Sequence, residues 1–467
     1  MIGDMRNLLA AVVLTFALSA QAADLRSEAE AGLKRAVTFF HDQVAIEGGY
    51  VYCYSADLKL REGEGKTGAT TVWVEPPGTP AVGMALLQAY ERTKQPYLLA
   101  AANDAGMALV RGQFQSGGWN DHIDFDPAAR KKFAYLVDGK YGSKARNIST
   151  FDDNKTQSAL RLIMELDRVT DFKDKTFHNS AMYALKSVLG AQRANGAWSQ
   201  VWDGPVAQDD PAELRASIPK DYPHQYPGGD YWWLYTLNDR AMSDTIEMLL
   251  TAAEIYNDVT YRDAAVRGGK FLLRAQLPEP QPAWSQQYDR EMHPAWARKF
   301  EPPAVTGLES QRVLRTLMRL HVATGDAAWL EPIPRAIAWF KRSALPDGRM
   351  ARFYELNTNR PLYMTSDYKL TFDDSDTPTH YGFKVKSDIV AIEQEYEAAK
   401  AGTPVTKKKS RPSDAEVQAV LAAMDDRGAW VEQGTLKYHK IEGPLIRSET
   451  FIKNVGLLSE YLSAGKP

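Results

Sequence analysis

The sequence has a single cysteine and almost no excess of either charge. Because Cys53 is the only cysteine, an intramolecular disulfide and a thiolate metal cluster are both excluded. Lys and Arg total 56 and Asp and Glu total 59, which gives a formal charge of −3. A nucleic-acid-binding surface needs a basic surplus, and no apolar run after residue 23 is long enough to span a bilayer. We therefore expect no nucleic-acid partner and no membrane span, and the sequence indicates no obligate protein partner.

Motifs of two other enzyme classes are also missing. The eight histidines contain no HExxH motif and no pair at i, i+4 spacing, so a zinc hydrolase is not indicated. The sequence also lacks a phosphate-binding GxxxxGK[ST] loop.

Residues 1–22 read as an export signal. Arg6 precedes an apolar stretch from Leu8 to Ala20, and Ala20-Gln21-Ala22 has the small-x-small form of a signal-peptidase site. A buried N-terminal helix is the alternative, but this stretch has no amphipathic face. We predict cleavage after Ala22 and a periplasmic or secreted protein.

Helical periodicity dominates the remaining chain, whereas alternating strand patterns are scarce. Four apolar stripes at helical spacing begin near residues 82, 159, 242 and 313, and each is followed by a second helical pattern. The second helices of three pairs end in Gln, a turn and then Trp; these residues are Trp119, Trp198 and Trp284. Because a helical hairpin with one apolar face must stack on its neighbours, a repeat of about 80 residues favours a ring of hairpins.

The sequence therefore predicts an all-α fold, an (α/α) barrel or toroid of helical hairpins with long loops and a few short strands. We divide the chain into the export signal, a toroid catalytic domain at 23–400, a linker at 401–414 and a C-terminal helical segment at 415–467. The last segment either completes the toroid or forms a small appendage. Long loops rich in Pro, Gly, Trp and Tyr cover 120–150, 201–236 and 277–305, and loops of that length in a compact domain are usually functional.

Acidic residues begin two of the predicted first helices. Asp152 belongs to Phe-Asp-Asp-Asn-Lys-Thr, and Asp239 belongs to Leu-Asn-Asp-Arg-Ala-Met. Each residue alone is best explained as an N-cap. In a ring of hairpins, however, equivalent helix starts face the same mouth, so the two carboxylates are expected to converge as oxygen ligands for a hard cation such as Ca²⁺.

Arginines lie beside aromatic residues in the long loops that follow. Arg298 is in Pro-Ala-Trp-Ala-Arg-Lys-Phe-Glu, and Arg352 and Arg360 are close to Phe353 and Tyr354. Solvated surface charge is the ordinary explanation. Guanidinium groups next to aromatic rings nevertheless suit an anionic sugar. The planar guanidinium binds the sugar carboxylate, and the aromatic ring packs against the pyranose face. An acidic polysaccharide or oligosaccharide is therefore the predicted partner.

From about residue 150 to 370 the chain carries a series of short motifs in a fixed order. They are an Asp-led helix start with Leu-Arg downstream (152–161), Gly-x-Trp-x-Gln (196–200), Asn-Asp-x-Ala-Met (238–242), Gln-x-Asp with Pro-Ala-x-Ala-Arg-x-Phe-Glu (287–301), Gly-x-Glu-Ser (307–310), and Ala-Arg-Phe-Tyr-Glu with Thr-Asn-Arg-Pro (351–361). No single motif is specific. In this order they resemble polysaccharide lyase family ten, the α/α-toroid pectate lyases.

The resemblance implies β-elimination on a uronate polymer, with calcium bridging enzyme acids and the substrate carboxylate. It implies Asp152 and Asp239 as the calcium ligands, Arg298 as the base that removes the C5 proton, and Arg352 as a carboxylate-binding group. Because guanidinium almost never loses its proton, Arg298 as an electrostatic clamp is the alternative. The remaining predicted substrate-binding residues are Arg360, Asp289, Trp198, Tyr288 and Lys155.

Two cations depart from the family pattern near the predicted calcium ligands. Lys155 replaces a small residue, and Arg240 stands where family members usually have a second aspartate. Two other functions therefore stay open. One is a glycoside hydrolase that pairs Asp152 or Asp153 with Asp239 or Asp289, because toroids host such enzymes. The other is a non-catalytic protein that binds acidic glycans.

Overall fold

The computed structural model describes residues 24–211, 213–403 and 411–463. It confirms the predicted all-α toroid of helical hairpins with long loops. The predicted export signal at 1–22 lies outside the described residues, as do residues 404–410 of the predicted linker. Among the residues that the structure describes, no helix is both long and apolar enough to cross a bilayer.

Thirteen α-helices are present in the described part of the chain. Helix α1 spans 24–39 and continues into a π-helical turn at Phe40–Val44. The others are α2 Thr79–Thr93, α3 Pro96–Gly112, α4 Pro127–Arg130, α5 Lys155–Val169, α6 Lys175–Gly190, α7 Ala241–Tyr256, α8 Val259–Ala275, α9 Glu309–Thr324, α10 Ile333–Ser343, α11 Ile389–Lys400, α12 Asp414–Ala422 and α13 Ser448–Ser463.

The first helices of successive hairpins are neighbours in space. Helix α13 packs on α2, followed around the toroid by α5, α7, α9 and α11. The second helices pack behind them, with α3 on α2, α6 on α5 and α8 on α7. Because each hairpin buries its apolar face against the next one, most of the core is a single continuous cluster of buried residues.

The tryptophan repeat predicted from the sequence has a structural cause. The indole N–H of each tryptophan donates to a backbone carbonyl near the end of the preceding second helix. The pairs are Trp119 with Leu109 at 2.7 Å, Trp198 with Val188 at 3.0 Å, Trp284 with Leu272 at 2.8 Å and Trp430 with Val420 at 2.9 Å. Trp430 adds a fourth member, which lies in the predicted C-terminal segment.

Glycines in two of these turns lie directly against a neighbouring helix. Gly196 has a φ of +89°, and a Cβ there would lie 2.2 Å from the carbonyl oxygen of Arg267. Gly428 has a φ of +96°, and its Cβ would lie 2.6 Å from the carbonyl oxygen of Arg35 in α1. Only glycine permits both the left-handed conformation and this close approach. The two contacts fix how adjacent hairpins pack.

Sixteen short strands lie in the connections between the described helices. They are β1 Cys53–Ser55, β2 Arg61–Glu62, β3 Thr71–Trp73, β4 His122–Asp124, β5 Ser149–Thr150, β6 Val201–Trp202, β7 Tyr235–Thr236, β8 Gln287–Tyr288, β9 Val305–Thr306, β10 Met350–Ala351, β11 Phe353–Tyr354, β12 Pro361–Met364, β13 Leu370–Thr371, β14 Lys384–Val385, β15 Val431–Leu436 and β16 Ile441–Arg447. The sheet orders are β15-β16-β1-β2 and β13-β12-β11-β9, with antiparallel pairs β3–β4, β5–β6, β7–β8 and β10–β14.

Four of these strands come directly before first helices of hairpins. Strands β3, β5, β7 and β9 precede α2, α5, α7 and α9. Each pairs with a strand from the loop that follows the second helix of the same hairpin. The pairing fixes the short connection between strand and helix. Any side chain in that connection is therefore held at the same end of the toroid as its equivalents in the other hairpins.

The beginning and end of the described chain are joined. Cys53 in β1 pairs with Arg447 in β16, and α13 packs against α2. The guanidinium of Arg26 in α1 donates to the carbonyl of Leu462 in α13. The segment after the linker thus packs between helices from the start of the chain.

Candidate active site

Acidic residues occupy the connections that follow β5 and β7. Asp152-Asp153-Asn154 and Asn238-Asp239-Arg240 each form one 3₁₀ turn before α5 and α7. Asp153 has a φ of 46° and Asp239 has a φ of 47°. Left-handed backbone is rare and costly for such residues. Its presence at two equivalent positions shows that these turns are held by their surroundings to direct the two side chains.

The carboxylates of Asp152, Asp153 and Asp239 converge. One oxygen from each lies within 4.8 Å of the others. Burial and the neighbouring negative charges raise the pKa of Asp239 to about 8, and burial is the main reason why the pKa of Asp152 rises to about 6. Three crowded carboxylates attract a cation. Oxygen ligands that lie roughly 2.3–2.6 Å from a calcium ion are no more than about 5 Å apart, so this donor set fits Ca²⁺.

Asp153 was not among the predicted cation ligands, Asp152 and Asp239. It is nevertheless Asp153, and not Asp152, that matches Asp239 in backbone conformation and in distance from its helix. Superposing the two segments so that Lys155 matches Ala241, the first residues of their helices, would have revealed this equivalence.

A cleft of about 330 Å³ opens beside these carboxylates. Acids from two further hairpins contribute to it: Glu75 follows β3 and Glu309 follows β9. Burial raises the pKa of Glu75 to about 7 and also raises the pKa of Glu309. The four strand-to-helix connections thus place carboxylates at one end of the toroid. Neither glutamate was predicted as a site residue.

Lys155 was predicted to bind substrate, but its side chain is only 3% exposed. Its ammonium group is within ion-pair distance of four protein carboxylates. They are Glu75 at 3.2 Å, Asp121 at 3.4 Å, Asp152 at 3.5 Å and Asp153 at 3.5 Å. Because these carboxylates surround the ammonium, we reassign Lys155 from substrate binding to the interior of the acidic cluster.

Arg240, the second cation that departs from the family pattern, pairs with an acidic residue outside the four that surround Lys155. Its guanidinium pairs with Asp244, one turn into α7, at 2.8 Å. Asp244 is almost fully buried and also lines the cleft. Arg240 therefore has an acidic partner outside the group of three aspartates.

Arg298 is held by a bidentate ion pair. Its Nε and an Nη donate to the Glu301 carboxylate at 2.8 and 2.5 Å, and Glu301 is 1% exposed. This pairing raises the pKa of Arg298 despite its partial burial. The positive charge of Arg298 in turn lowers the pKa of Asp152 and Asp239 relative to burial alone. Arg298 therefore lies near enough to the acidic cluster for its charge to act on Asp152 and Asp239.

Arg352 is linked to Arg298 through Tyr381. The guanidinium of Arg352 donates to the Tyr381 hydroxyl at 3.0 Å, and that hydroxyl donates to Glu301 at 2.8 Å. The Tyr381 ring also lies 4.4 Å from the guanidinium carbon of Arg352 and 5.6 Å from that of Arg298. Glu309 lies 3.8 Å from Arg352. One tyrosine thus holds two guanidinium groups, and no sequence motif pointed to it.

Arg360 and Asp289 lie apart from this cluster. The guanidinium carbon of Arg360 is 3.4 Å from the centroid of the Phe372 ring, in a second groove that Asp347 also lines. Asp289 accepts a hydrogen bond from the backbone N–H of His293 at 2.8 Å and so stabilises its own loop. The structure does not bring either residue to the acidic cleft.

Two aromatic residues predicted to bind substrate are buried in the core. Trp198 is 1% exposed and makes the indole hydrogen bond of the tryptophan repeat. Tyr288 has no exposed surface, and its hydroxyl donates to the carbonyl of Ala275 at 2.6 Å. Neither side chain has a face left for a sugar ring, so we correct both assignments to structural roles.

Tyr231, a half-buried residue of the 201–236 loop, lies near enough to Arg298 for the two side chains to interact electrostatically. Burial raises the pKa of Tyr231, and the charges of Arg298 and Asp152 act on it in opposite directions. The loop is attached to the Arg298 loop because the Trp296 indole donates to the carbonyl of Pro223 at 2.9 Å. Tyr231 therefore keeps accessible surface near Arg298, whereas Trp198 and Tyr288 do not.

Comparison with known proteins gives a family match over the centre of the chain. The sequence profile of the family described as Pectic acid lyase matches residues 113–351, or 239 of 467 residues. No curated protein sequence matches significantly. Among solved structures, a family 10 polysaccharide lyase from Cellvibrio cellulosa is 20% identical over 69% of this chain and 97% of that chain, with a TM-score of 0.47.

Two other solved structures have similar scores. A mutant of a family 10 polysaccharide lyase from Cellvibrio cellulosa, in complex with trigalacturonic acid, is 19% identical over 69% of this chain and 98% of that chain, with a TM-score of 0.47. A D-mannose isomerase is 13% identical over 93% of this chain and 97% of that chain, with a TM-score of 0.48.

Proposed function

The chain belongs to the pectic acid lyase family, and from this premise we propose that it cleaves a uronate-containing polysaccharide, such as pectate or polygalacturonate, by calcium-assisted β-elimination. Membership of the family makes the protein a polysaccharide lyase. The polymer, the cation and the roles of individual residues are the proposal. The observation that supports them best is that the carboxylates of Asp152, Asp153 and Asp239 converge. The charges of Arg298 and Arg352 act on the same group through Asp239.

The proposed reaction breaks two bonds of one uronate residue. A base removes the C5 proton, the C–H electron pair forms the C4=C5 double bond, and the C4–O bond breaks as the leaving oxygen gains a proton. The C5 proton is weakly acidic because the neighbouring carboxylate is negatively charged. Positive charge placed at that carboxylate therefore lowers the barrier to proton removal.

The three aspartates are the proposed calcium ligands. When bound there, calcium would neutralise the uronate carboxylate and stabilise negative charge in the transition state. Asp152, Asp153 and Asp239 are suited to this role because they are partly buried and each offers an oxygen within 4.8 Å of the others.

Arg298 is the proposed catalytic residue, and Arg352 is its partner at the substrate carboxylate. The ion pair with Glu301 raises the pKa of Arg298, so its guanidinium is a stable cation. That favours the clamp over the base, because a general base must be unprotonated at the working pH and works best with a pKa near it. Bidentate hydrogen bonds from a guanidinium to a carboxylate fix the sugar ring as well as its charge.

Polygalacturonate with and without calcium tests the proposal. We expect a rise in ultraviolet absorbance from the unsaturated product, loss of that rise with a chelator, and recovery with added calcium. Asp239→Asn should abolish the calcium response. Asp263→Asn should retain it, because Asp263 is an exposed residue of α8. New reducing ends without absorbance would instead indicate a hydrolase with paired carboxylates, and binding without turnover would indicate a non-catalytic glycan-binding protein.

Export is also part of the proposal. The apolar stretch and the Ala20-Gln21-Ala22 site support cleavage of residues 1–22. N-terminal sequencing of the protein recovered from cells that express the whole chain should begin at Ala23. Full-length protein that stays in the cytoplasm would contradict this.

A further inference from the structure

A buried ammonium group lies where four carboxylates from three chain segments meet. Glu75 follows β3, Asp121 precedes β4, and Asp152 and Asp153 follow β5. All four have an oxygen between 3.2 and 3.5 Å from the Lys155 Nζ. Asp152 and Asp153 also belong to the group of three aspartates that includes Asp239.

We propose that Lys155 is a tethered cation, which fills a cation position next to the proposed calcium position and orients Asp152 and Asp153 toward Asp239. The identity of the neighbouring ion rests on the proposed function. The role of the lysine rests on its own contacts. Lys155 is thus a positioning residue that acts on a substrate only through the two aspartates.

The coordination around Lys155 has the character of a metal site. An ammonium group has three protons to donate, so it cannot make a full hydrogen bond to all four carboxylates at once. Metal ions such as Ca²⁺ bind six to eight oxygen atoms. The four carboxylates therefore offer more oxygen ligands than one ammonium group can use, and they suit a cation of higher coordination number.

The charges around Lys155 explain why its side chain is buried. An ammonium group removed from water is stable only when it is paired. Here the side chain is 3% exposed, and four carboxylates lie within 3.5 Å of its ammonium group. Removing the ammonium would leave the same carboxylates facing one another without a counterion. A divalent cation from solution would then occupy the vacated position.

The test counts calcium ions in Lys155→Met. Methionine keeps an unbranched side chain but removes the charge. Isothermal titration calorimetry with calcium chloride should show one more calcium ion per chain in Lys155→Met than in the natural protein. The melting temperature of the variant should also rise by roughly 3 °C more when calcium increases from about 0.1 to about 10 mM.

Two control variants isolate the vacated position. Glu75→Gln combined with Lys155→Met removes a carboxylate that touches the lysine but is outside the three proposed calcium ligands, so the additional ion should bind more weakly. Lys341→Met removes an exposed lysine paired with Glu393 at 2.6 Å, and it should leave the number of bound calcium ions unchanged.

The same number of calcium ions and the same melting response in Lys155→Met and in the natural protein would overturn the proposal. Should Lys155→Met be recovered only in calcium, that dependence supports the proposal. Lys155→Gln, which keeps a hydrogen-bond donor without the charge, is the second variant. Failure of both variants to fold in calcium as well as in chelator would also overturn it, because calcium should replace the lost ammonium.

This test is independent of the lyase assay. If the natural protein binds no calcium and forms no unsaturated product, the proposed function fails, yet Lys155→Met should still bind one more calcium ion than the natural protein. If the natural protein is a calcium-dependent lyase and the variant gains no ion, the tethered-cation role fails alone.

Discussion

Tyr381→Phe tests whether the two arginines act as one unit. The substitution removes the hydroxyl that accepts from Arg352 at 3.0 Å and donates to Glu301 at 2.8 Å. It keeps the aromatic ring that lies against both guanidinium groups. The ion pair between Arg298 and Glu301 remains, so the arginine that we place at the reacting sugar is not itself removed.

The size of the effect follows from the two lost hydrogen bonds. A hydrogen bond to a charged group contributes about 1.5–3 kcal/mol. Glu301 keeps its bonds from Arg298 and from the Gln286 amide, so we expect the net loss to be close to that of one such bond. This corresponds to a fall of roughly 10- to 100-fold in kcat/KM. Tyr381→Leu should lose roughly another factor of 10, because it also removes the cation–π contacts.

The assay is the initial rate of unsaturated product formation on polygalacturonate, with melting temperature measured in parallel. Tyr183→Phe is the matched control. Tyr183 lies in α6, the second helix of its hairpin, and its hydroxyl donates to the carbonyl of Gln115 at 2.6 Å. The kcat/KM of Tyr183→Phe should stay within about twofold of the natural value. Wild-type kcat/KM in Tyr381→Phe, together with inactive Arg298→Ala and Arg352→Ala, would refute the idea that the tyrosine couples the two arginines.

Two other perturbations follow from the burial of particular side chains. Without calcium, the pKa of Asp239 is raised to about 8 and that of Asp152 to about 6. The folded protein therefore keeps protons that the unfolded chain releases above about pH 4. Thermal stability should consequently fall as pH rises toward 8. Stabilisation by calcium should accordingly be larger near pH 8.5 than near pH 5, and equal stabilisation at both would contradict this. Trp198→Phe should cost about 1–3 kcal/mol in urea unfolding without changing KM, since the indole bonds only to the core; a changed KM at unchanged stability would restore Trp198 to the substrate site.

The fold could be predicted because its repeat depends on contacts between residues that are close in the sequence. Each indole bonds to a carbonyl ten to twelve residues upstream, from Trp119 to Leu109 and from Trp284 to Leu272 for example. Such a contact lies within one helix and the turn that follows it, so the spacing between the helix end and the tryptophan can be recognised in the sequence. The same reasoning could not separate core from cleft. Trp198 has the chemistry of a sugar platform, and only the packing of the neighbouring hairpins shows that both of its faces are covered.

The candidate site could be predicted in part. Asp239 and Arg298 lie in motifs that sequence reasoning identified, and Arg298 lies near enough for its charge to oppose the rise in the pKa of Asp239. The partners that give these residues their properties were not visible. Tyr381 lies beyond the last motif in a loop without periodicity, and the neighbours of Lys155 come from segments up to 80 residues away. Contacts between distant segments form only when the hairpins stack, and a single sequence carries no direct record of them.

The link between the two ends of the described chain bears on how the protein can be re-engineered. Arg26 hydrogen-bonds to the Leu462 carbonyl, and β1 shares a sheet with β16. Their proximity permits a circular permutant, in which a short flexible linker joins those ends and the chain is reopened elsewhere. The exposed stretch around Gly139 and Gly142, where an added Cβ would meet no neighbouring atom, is a suitable point. Every helix would keep its neighbours, although the order of synthesis would change.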